Sequence, residues 1–258
     1  MISKVLKTYN KSIRASSVYD IAVVTPLTRA NSLSKSSKNN IFLKREDLQP
    51  IFSFKLRGAY NKLFKLKQKG SSASVVAASA GNHAQGVAYS AKQLGLKSII
   101  VMPITTPLIK INAVKNFGGK VVLYGDNFDE AYEHATMLAK KEDYSFIPPY
   151  DDKDVIAGQG TIGKEILEQA DFKVDAVFVP VGGGGLLAGI GAYIKSEHPE
   201  IKVIGVEPDD AACLDLAMKN NKRLSLKEVG LFADGVAVKQ IGKLTFSLIK
   251  EWVDDVVT

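Results

Sequence analysis

Short apolar runs rich in β-branched residues alternate with longer stretches of helical periodicity along most of the chain. Residues 41–44, 74–78, 98–102, 121–124, 176–181 and 202–206 are strand-sized and apolar enough to be buried. Helix-length segments lie between and beyond them, at 56–69, 84–94, 107–117, 128–141, 155–169, 186–195, 211–219 and 242–252. This alternation predicts an α/β protein with a mainly parallel sheet and helices on both faces. Turn chemistry supports it. Gly70, Gly95 and the pair Gly118-Gly119 fall just past periodic segments, where helices end in a left-handed residue; Pro107 opens one helix after Pro103 closes a strand. Val253 to Thr258 read as a further strand. No internal repeat or low-complexity linker divides the chain. The stretch Ile147-Pro148-Pro149-Tyr150-Asp151-Asp152 is the best lobe boundary, with a smaller lobe expected over 48–150 and a larger one over 1–47 plus 151–258.

Composition changes this picture little. The 258 residues are 46% hydrophobic and 24% charged, enough to build a substantial core. No apolar run approaches bilayer length and residues 1–10 lack the apolar stretch of a signal peptide, so no membrane partner is expected. The one cysteine, Cys213, can form neither an internal disulfide nor a Cys-based zinc site, which predicts a reducing, cytoplasmic setting. The net charge of +7 is uneven: residues 1–70 carry 15 Lys/Arg against 3 Asp/Glu. Such a basic third suits nucleic acid or an anionic ligand. Lys62, Lys65, Lys67 and Lys69, however, have the spacing of a solvated helix face, and no nucleic-acid partner is expected.

Four stretches could carry chemistry. Gly182, Gly183, Gly184 and Gly185, followed by Leu186, join a strand to a helix, and N–H groups free of side chains can converge there on a phosphate. A flexible loop is the alternative, though four glycines carry an entropic cost a plain turn does not need. Gly158, Gly160 and Gly163 have dinucleotide-fingerprint spacing but follow a polar turn instead of a strand, so they are expected to serve close helix packing. Ser79-Ala80-Gly81-Asn82-His83-Ala84-Gln85-Gly86 sits at a strand's carboxyl end and suits a carboxylate, with Asn82 as a mere helix cap the alternative. Lys55, in Ser53-Phe54-Lys55-Leu56-Arg57-Gly58-Ala59, has apolar neighbours that can desolvate its amine and make it a nucleophile; a surface charge is the alternative. His134 and His198 read as surface residues, and no P-loop or His-x-x-x-His pair is present.

Together, the Lys55 stretch, the Asn82 stretch and Pro180-Val181-Gly182-Gly183-Gly184-Gly185-Leu186 resemble the pyridoxal-phosphate (PLP) enzymes of the tryptophan synthase β-like fold, fold type II. Lys44-Arg45-Glu46-Asp47-Leu48-Gln49-Pro50, Asp154-Val155-Ile156-Ala157-Gly158-Gln159-Gly160-Thr161 and Gly230-Leu231-Phe232-Ala233-Asp234-Gly235-Val236-Ala237-Val238-Lys239 are similar to the biosynthetic threonine deaminase (threonine ammonia-lyase) family, over about Ser17 to Thr258. That resemblance implies a PLP-dependent lyase acting on L-threonine, and also L-serine, with 2-oxobutanoate and ammonia as products at the start of isoleucine biosynthesis. Lys55 would hold the cofactor as a Schiff base and take the substrate's Cα proton, and Phe54 would pack on the pyridine ring. Asn82 would bond the ring's 3-oxygen, and Gly182, Gly183, Gly184, Gly185 and Leu186 would cradle the phosphate. Ser79, Ala80, Gly81, Asn82 and His83 would take the substrate carboxylate.

The resemblance also implies a catalytic domain running past Thr258, a regulatory domain beyond it, and a homo-oligomer when complete. Two rivals follow: a shortened chain that binds PLP without turnover, and a serine racemase-like enzyme. Racemases of this group place a second serine directly after the one matching Ser79, where this chain has Ala80. Glu207 and Ala211 match cation-ligating positions of that relative, but Cys213 replaces a carboxylate, so no metal site is expected.

Overall fold

The structure, a computed structural model, describes residues 3–70, 74–230 and 232–258, so that Leu231 of the Gly230–Lys239 stretch lies outside the described residues. The chain begins with α1 (Lys4–Arg14), started by the Ser3 hydroxyl accepting the Leu6 N–H. Its lysines hide an amphipathic helix whose buried residues are Leu6, Tyr9 and Ile13. The strands β1 (Leu27–Arg29) and β2 (Phe42–Lys44) pair antiparallel around α2 (Asn31–Ser37).

A first α/β unit follows: α3 (Lys55–Gln68), β3 (Ser74–Ala78), α4 (Asn82–Leu94), β4 (Lys97–Met102), α5 (Leu108–Asn116), β5 (Lys120–Leu123), α6 (Phe128–Lys141) and β6 (Ser145–Phe146). Its strands lie in the order β5-β4-β3-β6, all parallel. Alternation along β3 separates the two faces. Val75 and Ala77 pack with Ala84, Val87 and Ala88 of α4, while Val76 and Ala78 pack with Ala131 and Ala135 of α6. The second unit comprises α7 (Lys153–Gln169), β7 (Ala176–Pro180), α8 (Gly185–Glu197), β8 (Lys202–Val206), α9 (Cys213–Lys219), α10 (Lys243–Trp252) and β9 (Asp255–Val257), with β7-β8-β9 parallel. Its core gathers α1 against Ile156, Leu187, Ile194, Val203, Leu214, Ile249 and Trp252. The molecule is thus the mixed α/β architecture that the alternation predicts.

Helices cross on glycine both between the two units, α3 on α7, and within the second, α7 on α8. A Cβ on Gly158 of α7 would stand 2.6 Å from the Arg57 carbonyl and 2.7 Å from Gly58 Cα of α3; one on Gly160 would stand 2.9 Å from the Gly189 carbonyl of α8. One on Gly163 would meet Ile190 of α8 at 3.1 Å. The Gly158, Gly160, Gly163 pattern is therefore a helix-packing device inside α7, as its missing strand suggests. Gly70, Gly95 and Gly118 all take positive φ, at 68°, 68° and 90°.

The structure corrects three expectations. Lys62 pairs with Asp152 at 2.7 Å and Lys65 with Asp154 at 2.9 Å, and Lys67 donates to the Leu94 carbonyl at 2.8 Å. These lysines tie α3 to the start of α7 and the end of α4; of the four, Lys69 keeps the solvated role. His134 is stacked on Tyr124 with 3.8 Å between ring centroids, so it is not a plain surface residue, whereas His198 is exposed and bonds Glu200. The segment 211–219 divides into a 3-10 turn, Asp209–Ala211, and α9.

Candidate active site

Lys55 opens α3, its N–H accepted by the Ser53 hydroxyl at 3.3 Å. The side chain is half-buried, and its Nζ donates to the Pro149 carbonyl at 3.2 Å. Desolvation lowers its pKa from 10.5 to about 8. A lysine with that pKa supplies a neutral amine far more readily than a surface lysine does. Phe54 is half-buried against the core of the second unit, with its ring centroid 5.5 Å from the Lys55 nitrogen.

The strand β3 ends at Ala78 and delivers Ser79 to His83 beside this amine. The Ser79 hydroxyl accepts the Gly81 N–H at 3.2 Å, and a Cβ on Gly81 would meet nothing within 4 Å, so the loop borders open space. Gly81 is the N-cap of α4, and the side chain of Asn82, its first residue, is exposed and bonds no group among the described residues. The cap reading of Asn82 therefore fails, and its amide is left for a ligand. The N–H groups of Ala80, Asn82 and His83 likewise donate to nothing among the described residues. His83 is buried, and its Nε2–H donates to the Ile147 carbonyl at 2.9 Å. Burial first, then the Lys55 charge, lowers its pKa to about 3, and the ring is neutral. Its place is beneath the loop. Gly86 lets α4 approach: a Cβ there would lie 3.2 Å from the Lys55 carbonyl.

The glycine loop packs on Tyr150, the residue after the one whose carbonyl holds Lys55. The N–H groups of Gly182, Gly183, Gly184, Gly185 and Leu186 donate to no group among the described residues, and Gly184 takes a φ of +88° as N-cap of α8. Five consecutive unpaired amides at a helix N-terminus make an anion cradle. A Cβ on Gly183 would overlap the Tyr150 ring at 2.2 Å, so only glycine fits there. The stretch after Leu231 lies over the same loop, with Val236 Cα 3.2 Å from a Cβ built on Gly182, and Gly235 faces open space.

The residues at 147–152 join all of this and do more than link two lobes. The Ile147 carbonyl holds His83, the Pro149 carbonyl holds Lys55, Tyr150 packs on Gly183 and Gly185, and Asp151 accepts three amides at the start of α10. Sequence reading treats them as punctuation, because backbone carbonyls leave no composition signal. Glu207 is buried and accepts the Leu214 and Asp215 N–H groups at 2.9 and 2.8 Å, which caps α9. No cluster of three or more His, Cys, Asp or Glu side chains lies together among the described residues.

A desolvated amine joined through residues 147–150 to two sets of unpaired amides suits a phosphorylated aldehyde, bonded to the lysine and held by its phosphate. Residues 18–258 match the family described as pyridoxal-phosphate dependent enzyme, and the chain belongs to that family. It is 54% identical over 249 residues to the biosynthetic, chloroplastic threonine dehydratase of Arabidopsis thaliana, which covers 96% of this chain and 42% of that protein. The processed form of threonine deaminase isoform 2 from Solanum lycopersicum superposes with a TM-score of 0.96 at 50% identity, covering 99% of this chain and 70% of that one. Maize serine racemase superposes with a TM-score of 0.92 at 31% identity, covering 96% and 75%. The chain spans less than half the length of the Arabidopsis relative. Lys55, the free Asn82 amide and the glycine cradle fit the family's cofactor.

Proposed function

We propose that this chain carries the site of a threonine ammonia-lyase, converting L-threonine to 2-oxobutanoate and ammonia, with L-serine as a second substrate. The observation that carries the reading is the pairing of a desolvated Lys55 with the unpaired amides from Gly182 to Leu186. The relatives' names supply the substrate.

Lys55 would hold PLP covalently, Gly182 to Leu186 would take its phosphate, and Asn82 would meet the ring oxygen, with Phe54 flanking the ring. Once bound, the cofactor supplies the electron sink that makes the substrate's Cα–H acidic. Lys55, whose lowered pKa enlarges its neutral fraction, takes that proton at Nζ. The free N–H groups of Ala80, Asn82 and His83 receive the substrate carboxylate, and Ser79 orders the loop by accepting from Gly81. His83 stays neutral and leaves the proton at Lys55. We place the lobe division at 48–150 against the remainder, since the parallel sheet β5-β4-β3-β6 lies within the first span. Buried, unpaired Cys213 supports a reducing compartment, cytoplasmic in this reading, and no described helix is long and apolar enough to cross a membrane.

The test is threonine-dependent 2-oxobutanoate formation by the purified chain with PLP, alongside the visible absorption of the bound cofactor. Lys55→Ala is expected to abolish that absorption and lower turnover at least about 100-fold. A PLP spectrum unchanged by Lys55→Ala sinks the assignment. Cofactor binding without any turnover in the wild-type chain supports instead a PLP-binding chain that needs further sequence. Ala80, in place of the second serine that racemases of this group use, favours elimination over racemisation; D-serine formation from L-serine would reverse that preference.

A further inference from the structure

We propose that Thr245, with Asp151 behind it, is a positioning residue that aims the glycine-loop amides at a phosphate; the proposal rests on the cradle reading above. Thr245 lies in the first turn of α10, is fully buried, and donates from Oγ1 to the Gly183 carbonyl at 2.7 Å. The Gly242 N–H donates to the same oxygen at 3.3 Å. In an uninterrupted helix that carbonyl would face its own chain four residues on. Here the left-handed Gly184 turns it outward to α10 instead. The peptide between Gly183 and Gly184 is planar and trans, so its N–H points opposite to its carbonyl. A carbonyl held against Thr245 therefore fixes the Gly184 N–H on the side away from α10, among the unpaired amides of the loop.

The contact is built closely. A Cβ on Gly184 would come within 3.0 Å of Thr245 Cβ and 2.8 Å of Ile241 Cδ1, so the loop lies directly on α10. Gly242 supplies no side-chain cap for that helix. Asp151 does so from across the molecule, accepting the N–H groups of Lys243, Leu244 and Thr245 at 2.9, 2.9 and 3.0 Å. Asp151 directly follows Tyr150, which packs on Gly183, and is two residues from Pro149, which holds Lys55. One strap thus sets both the amine and, through α10, the glycine loop.

The test compares dissociation constants for pyridoxal phosphate and for pyridoxal, which differ only in the phosphate, by equilibrium dialysis of the full chain. Wild type is expected to prefer pyridoxal phosphate. In Thr245→Val, which keeps shape but loses the donor, that preference falls about tenfold, equivalent to about 1.4 kcal/mol, with pyridoxal affinity unchanged. Thr245→Ser restores it. A merely structural role would weaken both ligands together and leave the ratio alone. If wild type prefers pyridoxal phosphate and Thr245→Val keeps the full preference, the positioning role is overturned while the cradle stands. If wild type binds both equally, the cradle itself is wrong, and the positioning role with it. Should Thr245→Val fail to fold, Asp151→Asn is expected to shift the ratio in the same direction by about threefold, and an unchanged ratio there overturns the proposal.

Discussion

Lys55 is a destabilising residue in the cofactor-free protein. Its pKa falls from 10.5 to about 8 on folding, because burial disfavours the ammonium. The folded chain binds this proton less tightly than the unfolded chain does. The resulting penalty is absent above pH 10.5, grows as pH falls through the interval to about 8, and is complete below that. Lys55→Met, unbranched and apolar, is therefore expected to raise the Tm of the cofactor-free protein near pH 7. The gain should shrink steadily as pH approaches 10.5. Thermal scans across that range check it: a gain independent of pH would mean that packing, and not desolvation, sets the difference.

Helix crossings set how the elements come together, and glycine sets the crossings. At Gly158 the neighbours of an added Cβ are backbone atoms, the Arg57 carbonyl at 2.6 Å and Gly58 Cα at 2.7 Å, which cannot rotate away. Gly158→Ala must push α3 from α7, with an expected loss of about 1–3 kcal/mol. Gly235→Ala, where a Cβ meets nothing within 4 Å, should be close to neutral. Urea unfolding with an unchanged m-value distinguishes the two, and equal midpoints for both variants would contradict the packing role. The sequence makes this device readable, since the absence of a strand before Gly158 already argues against a nucleotide loop. The buried strands are readable for a similar reason: runs such as Val75 to Ala78 are apolar on both faces. By contrast β1 and β6 span three and two residues, too short for any periodicity to register. In α1 the spacing of Leu6, Tyr9 and Ile13 is helical, but interleaved lysines mask it. Lys55 and the glycine loop announce themselves by residue type. Thr245 and Asp151 do not, because an ordinary threonine and an ordinary aspartate become significant only once the topology brings α10 to Gly183.

For the molecule as a whole, the position of α3, and hence of Lys55 at its start, depends on an ionic cluster assembled from three distant parts of the chain. Arg57 is fully buried and donates to Glu46 at 2.7 and 2.8 Å, to Glu165 at 2.5 and 3.0 Å, to Thr161 at 3.1 Å and to the Val23 carbonyl at 3.2 Å. Lys44 adds a second cation, 2.6 Å from Glu165, so two positive and two negative side chains balance. Burial pulls the guanidinium's pKa down, but the bonds to Glu46 and Glu165 outweigh it and the net shift is upward. Such a cluster stabilises little relative to a well-packed apolar one, yet losing one member leaves charge buried without a partner. Arg57→Met would leave Glu46 with only the neutral donors Thr25 and Gln49 and would remove two bonds to Glu165. The expected loss is about 3–5 kcal/mol of unfolding free energy, and Arg57→Lys should recover only part of it, because an ammonium cannot serve two carboxylates in forked geometry. Because the cluster joins the N-terminal segment, α3 and α7, the loss should appear as one cooperative shift of the whole urea transition. A separate early phase would show that the N-terminal segment is anchored independently of Arg57, and a shift below about 1 kcal/mol would place the cluster with exposed ion pairs, which contribute little.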